Sequence, residues 1–99
     1  MLIAQTQRRV ARVLADLDLA RQHARVSLQR LDEAAGDLAQ LDSELQGSSD
    51  LLEHLRLALA CRHAAEVYSS AEQQAVDAVF GLRMIENAIA SAGAAVRGA

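Results

Sequence analysis

The sequence predicts an all-α fold, an antiparallel helical hairpin of two long helices, and three observations carry the prediction. Apolar residues make up 52% of the 99-residue chain but aromatics only 2%, so the apolar content is alanine and leucine with some valine, the composition of packed helices. Proline is absent, and β-branched residues never cluster into the alternating run that marks a strand. Two stretches of helical periodicity flank a single Gly-Ser turn near the middle of the chain.

In the first stretch apolar residues recur at Val10, Leu14, Leu17, Ala24, Leu28, Leu31, Ala35, Leu38 and Leu45, with Val13, Ala20, Ala34 and Leu41 widening the stripe. That spacing is sustained for about ten helical turns. The segment Gln46-Gly47-Ser48-Ser49-Asp50 interrupts it, placing the turn at about 46–50. Gly47 is placed as a C-terminal cap, and Asp50 as an N-cap with Glu53 at the capping-box position. Beyond the turn, Leu57, Cys61, Ala64, Tyr68, Ala71, Ala75, Ala78, Leu82, Ile85, Ile89 and Ala92 alternate in steps of four and three, a heptad-like seam.

Helices of nearly equal length joined by a short loop fold back antiparallel, so residues 1–99 form one helical-hairpin domain. Gly36 and Gly81 are tolerable inside helices at about 1 kcal/mol each, and either is a candidate kink or break. The small-residue end from Ser91 onward is expected to fray.

A lone hairpin buries one stripe per helix, yet the second helix carries further apolar positions at Leu52, Leu55 and Leu59, and again at Val76, Phe80 and Met84. Ordering each backbone unit costs about 1–2 kcal/mol, and burying a whole leucine or isoleucine returns roughly 1.5–3 kcal/mol. The alanines in the middle of the seam return less. A hairpin this short is therefore expected to need a second chain, completing a four-helix bundle as a heterodimer or a homodimer. Val76, Phe80 and Met84, with Leu52, Leu55 and Leu59, are the candidate partner contacts; the alternative is that they widen the hairpin's own core.

Charge excludes several function classes. All ten basic residues are arginine, against thirteen acids, and the two signs are interspersed with a formal net charge of −3. Nucleic-acid binding would call for a basic stripe with aromatic platforms, and no such partner is expected. Arg8, Arg9 and Arg12 form the one basic cluster, and Asp16 and Asp18 follow within two turns, as at a solvated helix end. These arginines also break the apolar core that a secretory signal peptide needs, and no run is long enough for an integral membrane segment.

Chemistry finds little purchase. Cys61 is the lone cysteine, a small seam residue that cannot form an internal disulfide. His54, Cys61, His63 and Glu66 fall within a short span, but His63 and Glu66 share a face from which Cys61 is turned away. One pair falls short of the three or four ligands zinc takes, so no metal or other cofactor is expected. No serine or cysteine has a histidine and an acid in an activating pattern, and a helical hairpin lacks the concave pocket of an active site. The chain reads as a non-enzyme.

One pair remains. Tyr68 and Glu72 lie one turn apart on one face of the second helix, placed so that a docking protein could read both at once. The surrounding string Ala64-Ala65-Glu66-Val67-Tyr68-Ser69-Ser70-Ala71-Glu72 resembles the Ala-Ala-x-Ile/Val-Tyr-Ser-x-Ala-Asp/Glu stretch of EspC-like substrates of type VII (ESX) secretion. Ala78-Val79-Phe80-Gly81-Leu82 is similar to the short apolar segment that follows it there. The wider WXG-motif proteins are helical hairpins of about this length, and Leu45-Gln46-Gly47 stands where they carry Trp-x-Gly, without the tryptophan. A further helical stretch of several turns also follows Tyr68, whereas the family's signal lies near the chain end.

The resemblance implies a secretion substrate, co-substrate or targeting subunit from an actinobacterium. It would pair with a helical partner or effector and show Tyr68 and Glu72 to a secretion ATPase. It would be cytoplasmic before export, then secreted or held at the cell surface by a non-Sec route. The rival expectation is a cytoplasmic helical adaptor or oligomerisation module in which Tyr68 serves packing alone.

Overall fold

The computed structural model describes residues 2–98, with side chains as far as residue 94. Two helices account for nearly all of them: α1 spans Leu2–Gly47 and α2 spans Leu51–Gly98. They pack against each other along their length as the predicted hairpin. At 1.5 Å per residue, α1 is about 69 Å long, which accounts for the 74 Å long axis of the molecule beside cross-dimensions of 24 and 14 Å.

The connection is tighter than the capping pattern implies. Gly47 ends α1 without a left-handed backbone, since no described glycine has positive φ, and the Ser48 amide donates to the Leu45 carbonyl at 3.2 Å, closing the last turn. The Asp50 carbonyl accepts from the His54 amide at 2.8 Å, which makes Asp50 the first residue of the α2 ladder, as an N-cap should be. Glu53 does not close the reciprocal half of a capping box; its carboxylate binds Arg56 at 2.6 Å and raises that guanidinium's pKa. Neither Gly36 nor Gly81 breaks its helix, and α2 continues through the small-residue end as far as Gly98. Ala99 lies outside the described residues.

Burial follows a heptad in both helices. In α2, every seam position from Leu57 to Ile89 is buried or half-buried, with Ala75 at 2% exposure the most enclosed; Ala92 alone is exposed. In α1 the inward positions are Leu17, Ala20, Ala24, Ser27, Leu31, Ala34, Leu38, Leu41 and Leu45, again in steps of three and four. Ser27, only 3% exposed, takes the place expected for Leu28, which is 49% exposed. Apart from Leu17, the buried residues are small, namely Ala24, Ser27, Ala34, Ala75 and Ala78, so the helix axes approach closely in the middle of the hairpin. Val10, Val13 and Leu14 are exposed. They belong to the first part of α1, residues 2–16, all of which are exposed.

Two helices alone leave much surface open. The chain exposes 7914 Å², where a compact protein of its mass exposes about 5,500 Å². Its radius of gyration is 21.9 Å, against roughly 13 Å for a globular chain of this length.

Candidate functional site

The seam between the helices is flanked by open grooves whose linings differ from one side to the other. On the first side, Leu28 and Leu31 of α1 face Glu72, Val76, Val79 and Phe80 of α2 across a groove of about 380 Å³, with Arg83 at its end. A second groove continues towards the turn, where Tyr68 and Cys61 stand beside Ala35, Leu38 and Asp42. Leu28, Ala35 and Asp42 are seven residues apart, as are Glu72 and Val79, so the two grooves run along one side of the hairpin. The opposite side carries Arg30, Glu33 and Asp37 against Ser70 and Gln74, and Gln40 and Glu44 near His63. The first side carries the large apolar side chains Leu28, Val76, Val79 and Phe80 at its centre, whereas on the other Ala34, Leu41, Ala60, Ala64 and Val67 are bordered by more charges and amides.

Tyr68 and Glu72 both lie on the apolar side. Tyr68 occupies its seam position half-buried, lining the groove with Ala35, Leu38 and Ala39, while Glu72 is exposed. Among the described residues neither side chain has a hydrogen-bond or ion-pair partner. The hairpin thus leaves the phenol and the carboxylate available to something else.

The candidate partner contacts are all exposed: Leu52, Leu55, Leu59, Val76, Phe80 and Met84. They do not form one strip. Steps of four turn about 40° round a helix, so Val76 and Phe80 line the groove beside Leu28, whereas Met84 is turned roughly 80° from Val76. Leu55 stands three heptads before Val76, and Leu59 three before Phe80, which places the leucines near the turn in line with the same groove. Leu28 and Val79 belong to this surface and were not among the candidate partner contacts; the sequence pattern placed Leu28 in the α1 seam instead. The signal that could have found them is the heptad itself, since both lie one position outside the seam.

No group of three or more histidine, cysteine or acidic side chains that could hold a metal is formed among the described residues. His54 and His63 are exposed on the helix surface and Cys61 is half-buried. No described helix is long and apolar enough to cross a membrane. No protein-family model, curated protein or solved structure matches the chain.

Proposed function

We propose that this protein is a small non-enzymatic substrate, co-substrate or targeting subunit of a type VII secretion pathway. It pairs with a second helical chain and presents Tyr68 and Glu72 as a composite export signal. The observation that carries the reading is the position of the two residues: one turn apart on α2, on one side of the hairpin, and without side-chain partners among the described residues. A signal of this kind needs a rigid spacing, and a continuous helix holds it. The apolar groove next to it supports pairing, because Leu28, Val76 and Phe80 would otherwise remain in water. In this reading the partner completes the bundle in the cytoplasm, and the secretion ATPase engages the tyrosine and the carboxylate before export.

A second reading is favoured by one observation. Tyr68 is half-buried against Ala35 and Leu38, so its ring contributes to packing whatever else it does, as it would in a helical adaptor that stays in the cell. Export of tagged variants from an actinobacterial host that carries such a pathway separates the two. Tyr68→Ala and Glu72→Ala should each accumulate inside the cell and be missing from the medium. Normal appearance of both variants outside the cell removes the secretion reading.

A further inference from the structure

We infer that the chain which covers the apolar groove is a second copy of this protein, docked with its α2 antiparallel to the first. The inference rests on the reading above that the hairpin pairs with another helical chain, and it names that chain. Glu72, Val76, Val79 and Arg83 line one groove, and their spacing of four, three and four draws a straight line along α2, a second seam beside the one that faces α1. The line is a chemical palindrome: acid, valine, valine, base. A two-fold axis crossing α2 midway between Asp77 and Ala78 maps each member onto its complement. Glu72 of one copy then meets Arg83 of the other, and Val76 meets Val79. A two-fold interface requires such self-complementarity, and here every contact occurs twice. A parallel pairing would oppose Glu72 to Glu72 and Arg83 to Arg83.

Area agrees with charge. The chain exposes 7914 Å², about 2,400 Å² more than a compact protein of its mass. An obligate dimer buries roughly 1,000–2,500 Å² on each partner, so one further copy is enough to cover the excess. Leu28 and Phe80, on either side of the line, widen the apolar contact. The opposite side, where Glu33, Asp37 and Glu44 border Leu41 and Val67, stays in water. Glu72 thereby acquires a role in assembly besides the one proposed in export.

Sedimentation velocity of the purified full chain across a micromolar series tests the register. The wild-type protein should be a dimer. Glu72→Arg alone and Arg83→Glu alone, each creating two like-charge contacts by symmetry, should weaken association about tenfold, and the double exchange should restore it. A wild-type protein that stays monomeric throughout, or an exchange no better than the single variants, overturns the inference. Glu72→Cys with Arg83→Cys, in a Cys61→Ser background, reads the geometry directly. The two sulfurs stand about 16 Å apart along one helix, too far for a disulfide within one chain. Oxidation should therefore link position 72 of one copy to position 83 of the other; linkage of 72 to 72, or no linkage, overturns the pairing. Export separates this inference from the functional reading. If the double exchange restores the dimer and leaves the cell normally, the export role of Glu72 fails and the pairing stands. If the wild type is monomeric and Glu72→Ala blocks export, the pairing fails and the export role stands.

Discussion

Leu28 of α1 and Phe80 of α2 line the same groove, yet Leu28 is 49% exposed and Phe80 65% exposed. Each helix thus contributes a large apolar side chain to a surface that the hairpin itself does not close. Removing such groups should change association far more than it changes the hairpin. Val76→Asp combined with Phe80→Asp is expected to leave the far-ultraviolet helical signal of the dilute protein intact. In the wild type the unfolding midpoint should climb with protein concentration, because association stabilises the folded form by mass action. The double variant should lose that climb. A concentration dependence that survives both aspartates would place the contact elsewhere.

Gly36 and Gly81 lie inside continuous helices with helical backbones, and a Cβ added at either meets nothing within 4 Å. Alanine fits both sites without displacement and restricts the unfolded chain. Gly36→Ala and Gly81→Ala should each raise stability by about 0.5–1 kcal/mol. The two sites are in different helices and share no contact, so their effects should add. Urea unfolding at fixed protein concentration checks the sum, and a loss of stability at either position would show a helix kink that the described backbone lacks.

The middle of the seam should respond in the opposite direction. Ala75 is 2% exposed and Ala78 is 6% exposed, and the α1 positions buried in the same part of the hairpin are Ala24 and Ser27. A larger side chain there must push the helices apart or leave its rotamer well. Ala75→Leu is expected to destabilise by about 1–3 kcal/mol, although leucine is nearly as good a helix former as alanine. Denaturant unfolding that shows Ala75→Leu neutral or stabilising would mean that the close approach of the axes is not needed.

Much of this architecture was legible because the α2 seam is written in apolar residues at unbroken heptad steps from Leu57 to Ile89. The α1 seam was legible only in part, and Ser27 shows why. An inward serine among small residues costs little where two axes nearly touch, but it is silent in a count of apolar side chains, so neighbouring Leu28 took its place in the pattern. Val10 and Leu14 match the helical period yet stay exposed, because periodicity records which face a residue occupies and not whether anything stands opposite it. The spacing of Tyr68 and Glu72 was plain from sequence; that both lie on the apolar side of the hairpin was not, since that depends on which face of α2 meets α1. The Glu72–Val76–Val79–Arg83 line was hidden for a related reason: two of its four members are charged.

The sharpest separation of signal from packing lies at Tyr68. Its ring is half-buried beside Ala35, Leu38 and Cys61, and its hydroxyl has no partner among the described residues. Tyr68→Phe keeps the ring and removes only the hydroxyl, so it should change stability by less than about 0.5 kcal/mol. Tyr68→Ala also removes the ring and should cost on the order of 1–2 kcal/mol, less than a fully buried aromatic because the site is half open. Unfolding curves for the two variants set the packing contribution, and export is then read against it. Export lost in both variants would mean that the secretion machinery reads the phenol, since Tyr68→Phe folds as well as wild type. Export lost only in Tyr68→Ala, and recovered when Gly36→Ala and Gly81→Ala restore the lost stability, would assign the residue to packing and sink its role as a signal.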